Sequence, residues 1–199
     1  MTHTPADSED VRFKTVQVLA DDWATLTKYT LDHRRRNGQW ETIIRQAYDR
    51  GDGAAIVPYD PSRGTVLLVR QFRLPCYVSG HAEPLIEACA GLLDKDDPET
   101  CIRKEAEEEL GYRFGAVTCV FKSFMSPGSV TERLFLFTAA YSAADRIGAG
   151  GGHASEGEDI EVLEMTLDDA MARIAADEII DAKTIMLLQH LRLNGPPSP

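Results

Sequence analysis

The chain is short of basic residues. Lys and Arg total 21 against 32 Asp and Glu, a formal net charge of -11 over 199 residues. That deficit argues against binding along a nucleic-acid backbone, which needs a basic footprint. It leaves room for a phosphate ligand, because a bound divalent cation inverts the local sign. No apolar run approaches the length that spans a bilayer, and "MTHTPADSED" lacks the basic and apolar regions of a signal peptide. The expectation is a cytoplasmic protein with neither nucleic acid nor membrane as partner. Cysteine is sparse as well. Cys76, Cys89, Cys101 and Cys119 show no C-x-x-C or His/Cys zinc spacing. Set among apolar residues, they read as buried free thiols in a reducing compartment. The remainder, 43% hydrophobic and 27% charged, suits one globular domain with a small extension.

Residues 1–10 and the tail at 195–199 read as loose ends. From 11 to 47 come three β-rich segments, "VRFKTVQVL", "WATLTKYTLDH" and "QWETIIRQAY", with Asn37-Gly38 as a hairpin turn signal. "GAAIVPY" and "GTVLLVRQFR" follow, separated by a turn at Pro61–Gly64. An acidic helix is predicted over about 99–110, stopped by Gly111. Then come the strands "AVTCVFKSFM" and "RLFLFTAAY", a glycine-rich loop, "IEVLEM", and two helical patterns, "LDDAMARIAADEI" and "AKTIMLLQHLRL". The fold class is mixed α/β (α+β): a sheet with helices over residues 51–194, behind an N-terminal antiparallel sheet over 11–50.

The acidic helix raises the functional question. At helical spacing Ile102, Ala106 and Leu110 share one face, and Glu105, Glu108 and Glu109 cluster beside it. Glu105 and Glu109 are a like-charge i,i+4 pair, unfavourable by roughly 0.2–0.5 kcal/mol unless neutralised. A solvated acidic face would account for an arbitrary run of this kind. Here the cluster borders the core stripe and follows a glycine-led loop, "CAGLL", that can bring backbone close to a ligand. Carboxylates on adjacent turns suit a hard cation such as Mg²⁺. Two other motifs fail on detail. "DKDDPE" has Glu99 where a calcium loop needs glycine, and "GAGGG" lacks the Gly-Lys-Ser/Thr of a P-loop.

The stretch from Gly91 to Tyr112 resembles the Nudix box, G-x5-E-x7-R-E-U-x-E-E-x-G-U with U apolar. Gly91, Glu105, Ala106, Glu108, Glu109 and Gly111 match, and Tyr112 takes the last apolar place. Lys104 stands for the Arg and Asp97 for the first Glu, with six residues between them instead of seven. Along the chain "YDRGDGAAIV", "VRQFR", "IEACAGLLD", "MSPGSVTE", "EDIEVLE" and "DAKT" are together similar to the GDP-mannose pyrophosphatase branch of the Nudix hydrolases, close to the ADP-ribose pyrophosphatases.

The resemblance implies a Nudix fold and hydrolysis of a nucleoside diphosphate sugar at its pyrophosphate. GDP-mannose is the first expectation and ADP-ribose the second; a non-catalytic nucleotide-sugar sensor is the reading from another class. It implies Mg²⁺, with Mn²⁺ as a possible substitute, held by Glu105, Glu109 and the Ala90 carbonyl and supported by Glu108. Glu158 would be a further ligand or the general base. Gly91 and Leu92 flank the substrate. Arg73 would clamp phosphate through its guanidinium, against a plain surface salt bridge. Trp23 would stack on the base or sit in the core. Arg45 and Arg50 would lie near the nucleotide, Arg50 alternatively supporting the fold, Glu132 reaches the substrate across a homodimer whose sites are shared, and Lys183 contacts sugar or phosphate unless it is an ordinary surface lysine.

Overall fold

The computed structural model describes residues 5–153, 155 and 157–195. The chain divides into two compact units, one running up to Asp52 with Phe124–Glu132 added, the other made of Gly53–Ser123 and the residues from Arg133 onward.

The first unit is a three-stranded antiparallel sheet in the order β1 (Val11–Asp21), β2 (Thr25–Arg34), β3 (Trp40–Asp49). Asn37-Gly38 turns the chain between the last two. Gly38 has φ +85°, and its N–H bonds the Arg35 carbonyl at 2.8 Å. Two bulges in the β1–β2 ladder, at Phe13/Thr15 and Val18/Ala20, add local twist. The expected loose N-terminus is tied down in part: Asp7 accepts from the Phe13 N–H, and Asp10 accepts from the Arg34 N–H. Residues 1–4 and the tail at 196–199 lie outside the described residues.

The second unit is built on a mixed sheet. β4 (Gly53–Asp60) is buried along almost its whole length, as befits "GAAIVPY", a run covered on both faces. It pairs in parallel with β9 (Arg133–Ala140), β9 neighbours β8 (Val117–Phe124), and β5 (Thr65–Gln71) lies on the other side, bordered by β10 (Glu161–Thr166). The β4–β5 turn is held by Asp60, whose carboxylate accepts from the Ser62 N–H and hydroxyl and from the Arg63 backbone and guanidinium. β4 and β5 pair only at this end. Further along they part, and a short crossing segment fills the fork: β6 (Leu85–Glu87) pairs with β5, and β7 (Cys89–Leu92) pairs with β4.

One face of this sheet packs Ala54, Ile56, Leu67 and Val69 against Ile102, Ala106 and Leu110 of the acidic helix. α3 (Leu167–Ala175) and α4 (Ala182–Asn194) also pack on the sheet and bury Leu187, Leu188 and Leu191. A short helix that the sequence did not announce, α1 (Leu74–Val78), follows β5. The thiols are more varied than expected. Cys89 and Cys101 are buried, but Cys76 is half-buried and Cys119 is exposed.

Candidate active site

The acidic helix starts where its sequence says it should. Asp97 accepts hydrogen bonds from the Glu99 and Thr100 amides, and Pro98 takes the first helical position, where its missing N–H costs nothing. α2 runs from Pro98 to Glu105 and then widens into a π-helical turn, Ala106–Leu110, ended by Gly111 at φ +74°. A regular α-helix would set Glu105, Glu108 and Glu109 side by side. With the wider turn they meet three environments: Glu109 is 2% exposed, Glu105 is half-buried and Glu108 is exposed.

Glu109 points under the strand that crosses the fork. Its Oε2 accepts the Ala90 N–H at 3.2 Å, and the Cys89 thiol bonds it as well. Burial pushes its pKa up to about 8; the Cys89 and Ala90 bonds oppose that shift, and the charges of Glu105 and Glu158 reinforce it. Glu105 lies flat against Gly91, where any Cβ would overlap its carboxylate. The glycine at the head of the box is therefore the clearance for a carboxylate. Leu92 offers its carbonyl to the Cys101 thiol at 3.3 Å.

The glycine-rich loop closes the far end of the helix. Gly151 and Gly152 donate their N–H groups to the carbonyls of Glu109 and Glu108 at 2.9 and 3.1 Å, satisfying acceptors that a helix end leaves bare. A side chain at Gly150 would overlap the Glu109 carbonyl. From this loop His153 reaches Glu108 at 3.5 Å, and its N–H bonds the Glu158 carboxylate at 2.9 Å. Glu158 is thus folded back on its own loop.

Among the described residues no three His, Cys, Asp or Glu side chains are gathered into a metal-holding group. The donor chemistry nevertheless fits a hard cation. The charges of half-buried Glu105 and Glu158 help to hold buried Glu109 in its protonated form, a cost that a bound cation would remove, and the thiol and backbone amide that bond Glu109 are both neutral.

Arg73 and Lys183 meet through a residue the sequence reading passed over. Glu87, 1% exposed, accepts from Arg73 Nε at 2.7 Å with one oxygen and from Lys183 Nζ at 2.5 Å with the other. Lys183 also reaches Asp181 at 3.0 Å. It is only 9% exposed, which removes the surface-lysine alternative. Burial alone would lower the pKa of both cations; the Glu87 charge more than offsets it and leaves both above their ordinary values. The signal for Glu87 was a lone acid inside the apolar run "PLIEACAGLL", a position that asks for a buried partner.

In the first unit Trp23 is 67% exposed, so it is not core, and the Arg50 guanidinium stands 5.8 Å from its ring centroid. Arg50 also forks onto Glu132, which is 8% exposed. Arg45 donates to the Ile44 carbonyl at 2.8 Å and faces outward. The fold therefore gathers Ala90, Gly91, Glu105, Glu109 and Glu158 in one unit, near Arg73 and Lys183, and Trp23, Arg50 and Glu132 in the other.

A mixed sheet between helices, with a carboxylate helix docked on a glycine-led strand, is the architecture of a Nudix domain. The chain belongs to the Nudix hydrolase family: the NUDIX domain matches residues 49–188, and the GDP-mannose pyrophosphatase NudK N-terminal domain matches residues 10–48. Among curated relatives, the GDP-mannose pyrophosphatase of Pectobacterium atrosepticum is 52% identical over 90% of this chain and 92% of its own length. That of Cronobacter sakazakii is 48% identical over 90% and 93%, and that of Salmonella arizonae 46% over 94% and 97%. Nudix hydrolases generally use divalent metal ions, and no helix among the described residues is long and apolar enough to cross a membrane.

Proposed function

We propose that the chain hydrolyses the pyrophosphate bond of GDP-mannose to GMP and mannose 1-phosphate in the cytoplasm, with Mg²⁺, or Mn²⁺ in its place. The observation that carries this reading is the pairing of buried Glu109 with the Ala90 amide beside Glu105 on Gly91, in a chain about half identical to relatives named GDP-mannose pyrophosphatases. Glu105, Glu109 and the Ala90 carbonyl would hold the ion, with Glu108 in support. Bound there, it would neutralise the diphosphate and lower the pKa of attacking water. Glu158 would be a further ligand or would accept the water proton. Arg73 and Lys183, fixed by Glu87, would face phosphate or sugar. The water oxygen bonds to one phosphorus, and the bridging oxygen leaves with the other phosphate.

The first unit would supply base recognition through Trp23, Arg45 and Arg50, and the two-fold partner of a homodimer. Val18, Leu19, Trp40 and Ile44 leave apolar surface open on the three-stranded sheet, which a partner would cover. Glu132 would serve the partner's site in that assembly. A nucleotide-sugar panel with Mg²⁺, products separated by chromatography, tests the reading. GMP and mannose 1-phosphate are expected. A preference for ADP-ribose would move the substrate to the second expectation, and release of GDP with free mannose would overturn attack at phosphorus.

A further inference from the structure

Gln71 closes β5 in register with Leu85 of β6. By strand alternation its side chain takes the same face as Leu67 and Val69, which lie in the core beneath the acidic helix. A third apolar residue would continue that row. Instead the chain places an amide there, 7% exposed, and among the described residues its Nε2 has no hydrogen-bond partner. A buried donor left bare destabilises a fold, so a residue of this kind calls for a ligand.

Gln71 borders a cavity of about 550 Å³, shared with Phe72, Arg73, Glu158 and Asp159. The chemistry of the wall selects what enters beside Gln71. Arg73 is already matched by Glu87, and Arg70, on the same wall, is matched by Glu161. Glu158, Asp159 and Glu161 outnumber those two paired arginines, so the wall is richer in hydrogen-bond acceptors than in free donors. A neutral donor among carboxylate acceptors, next to the half-exposed ring of Phe72, is complementary to a polyhydroxyl group with an apolar face.

We infer that Gln71 is a sugar-binding residue: its amide donates to a hydroxyl or ring oxygen of the hexose carried by the substrate. This rests on the nucleotide-sugar reading above. It assigns specificity to a position outside the metal-binding carboxylates.

The test uses Gln71→Met, which keeps the shape and removes the amide, and Gln71→Glu, which keeps the size and replaces the donor with an acceptor. Gln71→Met should be at least as stable to urea as the parent, because no donor is left bare. Its kcat/KM on GDP-mannose should fall about tenfold, the scale of one neutral hydrogen bond, and Gln71→Glu should fall at least as far. Product inhibition separates the possible contacts. Mannose 1-phosphate should inhibit the variants more weakly, while inhibition by GMP and by inorganic phosphate stays unchanged. Unaltered kcat/KM in a folded variant would overturn the assignment alone. Equal weakening for inorganic phosphate would place the amide on phosphate and also overturn it. A parent enzyme inert to every nucleotide sugar would overturn the functional reading and this assignment together.

Discussion

Replacing Glu109 by glutamine should stabilise the metal-free protein while abolishing its activity. The carboxylate is 2% exposed, and its pKa is pushed to about 8 first by burial and then by the Glu105 and Glu158 charges, against an ordinary 4.5. Folding therefore favours the protonated form. Below pH 4.5 the parent feels no difference; between 4.5 and 8 it loses stability as the folded state resists ionisation. At pH 7 the loss is about 3 kcal/mol, at 1.36 kcal/mol per pH unit. In Glu109→Gln the new amide keeps the shape, and its oxygen can still accept the Ala90 N–H. Urea unfolding in EDTA should then show the variant equal to the parent near pH 4.5 and more stable by up to ~3 kcal/mol at pH 7. With Mg²⁺ added, the parent should gain stability by mass action and the variant should gain little. Turnover should drop at least ~100-fold, the scale of losing one electrostatic stabiliser. Equal metal-free stability of the two proteins from pH 5 to 8 would refute the buried-charge reasoning, and near-normal turnover would refute the role in catalysis.

Glu87→Gln should cost ~3 kcal/mol in urea unfolding, because it leaves the Arg73 and Lys183 cations without their shared countercharge; adding Lys183→Met to that variant should recover part of the loss. Asp60→Ala should cost ~2–4 kcal/mol by removing a buried carboxylate that accepts four hydrogen bonds. Burial opposes ionisation of Asp60, yet the bonds from Ser62 and Arg63 hold its pKa at about 2. Its contribution is therefore present above pH ~4 and lost as the pH falls toward 2, so the variant's acid-unfolding curve should be flatter there. A thiol reagent should label exposed Cys119 rapidly in the native protein. Buried Cys89, its thiol pushed well above its ordinary pKa, and Cys101, pushed up to about 12, should react only on unfolding, which mass spectrometry of the labelled peptides can follow.

Periodicity made the longer strands and the last two helices legible, but not β6 and β7: "CAGLL", expected as a loop, is mostly strand, because Cys89–Leu92 pairs with β4. "GAAIVPY" is apolar throughout because both its faces are covered, and Leu187, Leu188 and Leu191 repeat at helical spacing on a buried stripe. The start of the acidic helix was readable because its cap is local chemistry: Asp97, at the position of the box's first acid, bonds the amides two and three residues on. Lys104, in the place of the Arg, pairs with Asp96 at 2.6 Å. The front of the motif thus shapes the helix start, which several sequences can do. Sequence could not show the π turn, whose end is met by glycine backbone about forty residues further along the chain. Nor could it show Glu87 joining Arg73 to Lys183. Those partners are 14 and 96 residues away and meet only after the sheet has formed.

The fork between β4 and β5 has a consequence for local motion. The segment that crosses it changes partner strand at Ala88, and two of its amides hang on side chains. The Ala88 N–H bonds the Thr184 hydroxyl at 2.6 Å, and the Ala90 N–H bonds Glu109. Each amide is therefore shielded from solvent exchange only while a different helix stays seated, α4 for Ala88 and the acidic helix for Ala90. Deuterium uptake at two alanines two residues apart becomes a pair of independent clocks, one for each wall of the site.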